Sequence, residues 1–153
     1  MAKRKLYQEN TDIKRIKSQW RKLRVSHSRE KWSAAIVRAA TAVEIAADLV
    51  VRKELQLKSN LDAAFVNCLL EWANGIVGKM DHLILPLFSG SRQFARLKKQ
   101  KRVAGIIDEK RNAIVQRSKV CTEREATIVT NKAKTVIESL VKIYKPGFNL
   151  DES

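Results

Sequence analysis

The chain has 153 residues, of which 44% are hydrophobic, with 5 glycines and 2 prolines. This composition favours one globular, mainly helical domain over a disordered or β-rich chain, and its apolar runs are too short to cross a bilayer. The formal net charge of +15 favours a polyanionic partner, because each phosphate that a basic surface neutralises releases counterions.

Residues 1–27 are predicted to form a basic N-terminal arm or helix. Lys3, Arg4 and Lys5 are not followed by the apolar run of a signal peptide. A helix beginning near Asn10 or Thr11 would carry Lys and Arg side chains on its polar side. Docking on the rest of the protein is favoured over membrane binding or ordering on nucleic acid, because one apolar stripe needs cover. That stripe contains Ile13, Ile16, Trp20 and Leu23.

Apolar residues at three- and four-residue steps predict four further helices over residues 28–146. The first runs over residues 28–55. The second begins near Ser59, and Pro86 should end or kink it. Its predicted inward residues include Phe65, Cys68, Leu69 and Trp72.

The third helix follows a turn at residues 88–91 and carries most of a second basic block. The fourth begins at Thr122, which forms the pattern of a capping box with Glu125. Four such helices with short connections favour an all-α, antiparallel up-and-down four-helix bundle with the additional N-terminal helix or arm. Residues 147–153 are assigned to a tail, of which residues 149–153 are predicted to be frayed.

The excess positive charge lies in two segments. Residues 1–25 contain 9 basic and 2 acidic side chains, and residues 91–119 contain 10 basic and 2 acidic ones. The remainder has 12 of each. A nucleic-acid-binding surface is the favoured interpretation, and a solvated face that only keeps the protein in solution is the alternative.

Few residues are candidates for catalysis or for metal binding. His27 and His82 do not stand at metal-ligand spacing from another His or Cys, so neither a metal nor another cofactor is expected. The two cysteines fit neither a disulfide framework nor a zinc site and favour a reducing, cytoplasmic location. His82 beside Asp81 is favoured as a surface residue over an acid-base pair, because adjacent helical residues point in different directions.

Glu44 lies among small alanines on the first of the four helices, where another helix can approach closely. A partly buried glutamate there requires a cation, and Arg111 is the predicted partner. Glu44, Asp48 and Arg52 also follow at four-residue steps, as in an ordinary helix-stabilising ladder.

The segment from Arg111 and Asn112 to Val115, with the following turn and the helix start at Thr122, resembles the signature of the HEPN family. The resemblance implies a four-helix bundle, usually dimeric, and metal-independent RNA cleavage. In active members an arginine contacts the scissile phosphate and a histidine transfers protons. Arg111 would be that arginine, and Glu44 matches a polar residue of the family's first helix. Gln116 stands at the usual histidine position.

Glutamine cannot transfer a proton, and Arg117 cannot replace the histidine because its guanidinium stays charged. We therefore expect a non-catalytic HEPN-like homodimer that binds nucleic acid, RNA first of all, or a nucleotide. Three alternatives stay open: a ribonuclease, toxin or defence effector with an atypical site such as His82; a protein-binding partner in a toxin-antitoxin or defence system; and a structural role without a ligand, in which Arg111 pairs with Glu44 and Asn112 bonds a nearby backbone. The predicted nucleic-acid-binding residues are Lys98, Lys99, Lys101, Arg102, Lys110, Arg111, Asn112, Arg117 and Lys119.

Overall fold

A computed structural model describes residues 7–152 of the protein. Residues 1–6, which include Lys3, Arg4 and Lys5 of the predicted arm, and Ser153 lie outside the described residues. The fold is all-α, as predicted. Its helices are α1 (Glu9–Ser28), α2 (Trp32–Lys58), α3 (Ala63–Trp72), α4 (Ile76–Lys79), α5 (Leu85–Leu87), α6 (Phe94–Arg117) and α7 (Glu123–Val141), with a π-helical turn at Met80–Ile84 and a 3-10 turn at Leu150–Glu152.

Helix α2 is the centre of the fold. Helices α1 and α7 pack along it, and α6 packs against both α2 and α7. Ala39, Ala40, Ala46 and Ala47 are completely buried, and side chains this small let neighbouring helices come close. The middle of α2, where Glu44 lies, is therefore surrounded by other helices.

Helix α1 docks on α2, so the expected docking of the N-terminal helix is confirmed. Its apolar stripe of Ile13, Ile16, Trp20 and Leu23 is buried. Basic residues including Lys14, Arg21 and Lys22 remain exposed on the outside. The first basic block of the sequence thus lies on the outer surface of a packed helix.

The second predicted helix is wrong in its length and in its buried face. The helical segment α3 ends at Trp72, and Gly75 adopts φ +84 before α4 begins. Val66 and Leu70 point inward, whereas Phe65 is 52% exposed and Trp72 is 70% exposed. Apolar residues occupy both sides of this segment, so periodicity alone does not choose the buried side.

The chain continues helically from α4 through the π-helical turn to α5 and ends this segment at Leu87, one residue beyond Pro86. Pro86 has no amide to donate to the turn before it, and the π-helical turn Met80–Ile84 lies in that place. The predicted second helix is therefore divided into short pieces, and the long helices of the fold are α1, α2, α6 and α7.

The start of α7 is as predicted. The amide of Glu125 donates to Oγ1 of Thr122 at 3.2 Å, and the amide of Thr122 donates to Oε1 of Glu125 at 3.4 Å. The expected fraying of residues 149–153 is wrong at Leu150, which is buried, as is Phe148 just before that segment. The amide of Leu150 also donates to Glu138 at 3.2 Å. Between residues 7 and 152, none of the helices has the length and apolar character of a membrane span.

Candidate nucleic-acid interface

Glu44 is the centre of a polar cluster between α2, α4 and α6. Its Oε2 accepts a hydrogen bond from Nη1 of Arg111 at 2.9 Å, and its Oε1 accepts one from Nζ of Lys79 at 3.0 Å. The other terminal nitrogen of Arg111, Nη2, donates to Oδ1 of Asp108 at 2.7 Å. The predicted pairing of Arg111 with Glu44 is confirmed.

Lys79 carries no signal in the sequence, because a lysine beside Gly78 in the predicted second helix resembles an ordinary surface residue. It is buried, and its Nζ lies 2.7 Å from Oδ1 of Asp48. The predicted ladder is incomplete, because Arg52 donates to Asp12 and Asn67 rather than to Asp48. The cluster thus contains two cations, Lys79 and Arg111, and three carboxylates, those of Glu44, Asp48 and Asp108.

The electrostatics of the cluster favour an ionised Glu44. Burial alone would raise the pKa of Glu44, but the hydrogen bonds from Arg111 and Lys79 outweigh burial, and the pKa lies below its ordinary value. Burial raises the pKa of Asp48 above its ordinary value, even though Lys79 acts in the opposite direction. The two carboxylates differ because Glu44 bonds both Arg111 and Lys79, whereas Asp48 pairs with Lys79 alone.

The guanidinium of Arg111 consequently points into the protein and is occupied by carboxylates there. Both of its terminal nitrogens are bound to carboxylates on α2 and α6, and its side chain is largely buried. To reach a phosphate it would have to exchange these charge-assisted bonds, which are among the stronger hydrogen bonds in proteins. Arg111 does not share a surface with the exposed cations of α6.

Asn112 and Gln116 are exposed one helical turn apart near the end of α6. Neither side chain forms a hydrogen bond to any residue between 7 and 152 that the structure reveals, and the expected bond from Asn112 to a backbone is not seen there. Two apolar neighbours are also exposed, Val115 at 65% and Val120 at 86%. This end of α6 therefore presents amide and apolar groups to solvent.

The solvent side of α6 carries a basic surface, which we call the α6 basic face and define as Lys98, Lys99, Arg102 and Arg117. All four are exposed, and within residues 7–152 none of them forms an ion pair with a carboxylate. Lys98 lies over the ring of Phe94, 5.7 Å from its centroid. The predicted residue Lys101 lies beside this face and donates to Asp81 at 2.8 Å.

A groove of about 480 Å³ continues this face at the C-terminal end of α6. Ser118 ends the helix with φ 53, and the amide of Lys119 turns back to the carbonyl of Ala113 at 3.2 Å. This turn places Lys119 near Lys110, and the groove is lined by Ile106, Glu109, Lys110, Ala113, Arg117 and Lys119.

Lys110 and Lys119 share one carboxylate. Their Nζ atoms lie 2.7 and 3.1 Å from Oε2 of Glu125. The hydrogen bonds from Lys110 and then Lys119, with the capping bond from Thr122, lower the pKa of Glu125 to about 2. With Arg117 and Glu109, which also line the groove, three cations stand against two carboxylates and leave positive charge there.

The histidines lie elsewhere on described surfaces. Nε2 of His27 lies 3.3 Å from Oγ1 of Thr127, and its ring contacts Trp32. His82 is exposed beside Trp72, with ring centroids 5.8 Å apart. The neighbouring Asp81 is paired with Lys101 rather than with His82.

Comparison of the chain with protein-family models, with curated proteins and with solved structures gave no match.

Proposed function

We propose that this protein is a non-catalytic, HEPN-like nucleic-acid-binding protein that holds RNA along the α6 basic face and acts as a homodimer. The observation that carries the proposal is the exposure of Lys98, Lys99, Arg102 and Arg117 on one helix, without an ion pair to any carboxylate among residues 7–152. Some neighbouring cations are neutralised, as Lys101 is by Asp81 and Lys134 is by Asp151, while α1 also exposes cations such as Lys14, Arg21 and Lys22. Unneutralised cations along one side of a helix are the electrostatic footprint of a polyanion site, although the exposed carboxylate of Glu109 lies between Arg102 and Arg117 on this side.

The length of the face favours a strand of nucleic acid over a single nucleotide. Lys98 and Arg117 are separated by 19 residues of one helix, which corresponds to about 28 Å at the helical rise. A mononucleotide would contact one or two of these cations, whereas a strand would follow the whole face. The exposed amides of Asn112 and Gln116 lie near its C-terminal end, where hydrogen bonds to a nucleic acid would be added.

Two observations favour binding over RNA cleavage. The amide of Gln116 does not act as a general acid or base near neutral pH. The guanidinium of Arg111 is held by Glu44 and Asp108. Arg111 in this proposal stabilises the contact between α2 and α6 and so keeps the basic face in place. Its role is structural rather than a direct contact with phosphate.

Exposed valines support the homodimer. Val115 and Val120 are among the most exposed large apolar residues of the described chain, and exposed apolar groups that cluster mark interaction sites. A pairing through this end of α6 would bring the C-terminal ends of two α6 helices together. Sedimentation equilibrium of the wild type and of Val120→Lys tests this: a dimer converted into a monomer is expected, and a monomeric wild type would contradict the dimer.

Fluorescence anisotropy with a labelled single-stranded RNA of about 12 nucleotides tests the function. We expect saturable binding at low salt, weak competition by AMP, and RNA that stays intact on a denaturing gel after incubation. No binding at low salt would refute the proposal. Cleaved RNA that is lost in Arg111→Ala would instead favour the ribonuclease.

A further inference from the structure

A cavity of about 450 Å³ lies between the start of α1, the end of α2, and α3. Its size is in the range of small-molecule sites, and it shares no lining residue with the groove at the end of α6. Three kinds of group line it: paired charges, an amide side chain with an unpartnered oxygen and a small apolar wall. Each of them restricts the ligand in a different way.

The charged part is centred on Asp12, which is only 2% exposed. Its carboxylate accepts hydrogen bonds from Oη of Tyr7 at 2.8 Å, from Nη1 of Arg52 at 2.9 Å and from Nη1 of Arg15 at 3.2 Å. Burial, with the hydrogen bond to Asp12, raises the pKa of Tyr7, so its hydroxyl stays a donor at neutral pH. Asp12 is therefore fully satisfied and holds two guanidinium groups at the cavity.

These groups leave a positive charge for a ligand. One carboxylate would be neutralised by one arginine, and the cavity has two arginines. The side chain of Arg15 is 56% exposed and uses one terminal nitrogen for Asp12. Since a guanidinium has five N–H donors in a planar fork, the rest of the Arg15 fork is available to a planar anion.

The amide of Gln56 restricts the ligand to compounds that carry a hydrogen-bond donor. Gln56 lines the cavity, and its Oε1 is buried and accepts no hydrogen bond from any residue that the structure describes. A buried acceptor without a donor is unfavourable, and a ligand with an N–H or O–H group would satisfy this oxygen once the Gln56 amide turns toward the cavity. Leu61, Ala63 and Val66 form the apolar wall beside it.

We propose that this cavity binds a small organic carboxylate that also carries an N–H or O–H donor, with the carboxylate on Arg15 and the donor on Gln56. A single net positive charge matches a carboxylate, which is monoanionic, better than a phosphate monoester, which carries close to two charges at neutral pH. The cavity is also too small for a strand of nucleic acid. This site is independent of the α6 basic face.

The test is an NMR titration of the full-length, isotope-labelled protein with hydroxy- and aminobenzoates. Matched primary amides, methylbenzoates without a donor, and phenyl phosphate are titrated in parallel. We expect shifts at the amides of Thr11, Val66 and Asn67 with the hydroxy- or aminobenzoates, and weaker shifts with each comparison compound. Stronger binding of phenyl phosphate, or no shift with any carboxylate at millimolar concentration, would overturn the proposal.

Variants locate the contacts. Arg15→Ala should weaken binding about tenfold, while Arg21→Ala, which removes the same charge from an exposed site on the same helix, should leave the affinity unchanged. Gln56→Leu should abolish the preference for hydroxybenzoates over methylbenzoates without abolishing carboxylate binding. Equal weakening by Arg15→Ala and Arg21→Ala would mean that only the general charge of the protein attracts the ligand, and it would overturn the site.

Discussion

Replacing Arg111 by alanine removes the cation that joins Glu44 on α2 to Asp108 on α6. In the wild type its two terminal nitrogens bond these carboxylates at 2.9 and 2.7 Å. After the replacement, Glu44 retains only Lys79. Within residues 7–152 the structure offers Asp108 no other cation. We therefore expect the variant to fold less stably.

The magnitude follows from the burial of the three groups. Removing one member of a fully buried ion pair costs about 3–5 kcal/mol. Here the side chains of Arg111, Glu44 and Asp108 are 19%, 23% and 17% exposed, and water screens part of the loss. We expect the free energy of unfolding to fall by about 2 kcal/mol, which lowers the Tm by about 4–8 °C for a domain of this length.

Urea unfolding followed by circular dichroism measures this loss, with Arg117→Ala as the matched control on the same helix. The control should change stability by less than about 0.5 kcal/mol, because Arg117 is exposed. A double-mutant cycle with Glu44→Ala should give a coupling energy of about 1–2 kcal/mol. The reasoning is refuted if Arg111→Ala leaves stability unchanged and abolishes RNA binding, since Arg111 would then contact the ligand.

Trp20→Ala should lower the free energy of unfolding, measured in urea, by about 3–5 kcal/mol, because Trp20 is buried. Trp72→Ala should lower it by less than about 1 kcal/mol, because Trp72 is exposed. Similar losses in the two variants would contradict the assigned buried and exposed sides. Thr122→Ala removes the capping bond to Glu125 and should cost about 0.5–2 kcal/mol, with Thr122→Ser as the control that keeps the hydroxyl. The lysines that lower the pKa of Glu125 from 4.5 to about 2 stabilise the fold above pH 4.5, and this stabilisation is lost as the pH falls towards 2. Glu125→Gln should therefore reduce the loss of unfolding free energy between pH 4.5 and about 2. An unchanged pH dependence would show that the pairing of Glu125 with the lysines does not contribute to stability.

Helices α1, α6 and α7 were predictable because each has one apolar and one polar side, and α2 because it is a long run of small and apolar residues that are mostly buried. The segment around α3 was not, because Phe65 and Trp72 on one side and Val66 and Leu70 on the other are equally suited to a core. The choice between them depends on the turn at Gly75, which sets the direction of the next helix. Burial of Leu150 was also missed, since a short tail has no periodicity to read.

The candidate site was predictable in part. Glu44 stands among alanines in the sequence, which indicated its burial and its need for Arg111. The same reasoning could not find Lys79 or Asp108, because their contacts depend on how α4 and α6 meet α2. It also could not separate Arg111 from the cations around it, since only the packed helix shows which side faces inward.

The central claim is that the α6 basic face binds RNA. The most direct measurement is the salt dependence of the RNA affinity, between about 50 and 200 mM KCl, for two variants that each lose two charges. Lys99→Gln with Arg102→Gln changes α6, and Arg21→Gln with Lys22→Gln changes exposed residues of α1. We predict that only the α6 pair weakens binding strongly and reduces the slope of log K against log salt, by about 1.4 for two contacts to a single strand. Equal losses in both pairs, or an affinity that does not depend on salt, would contradict the claim.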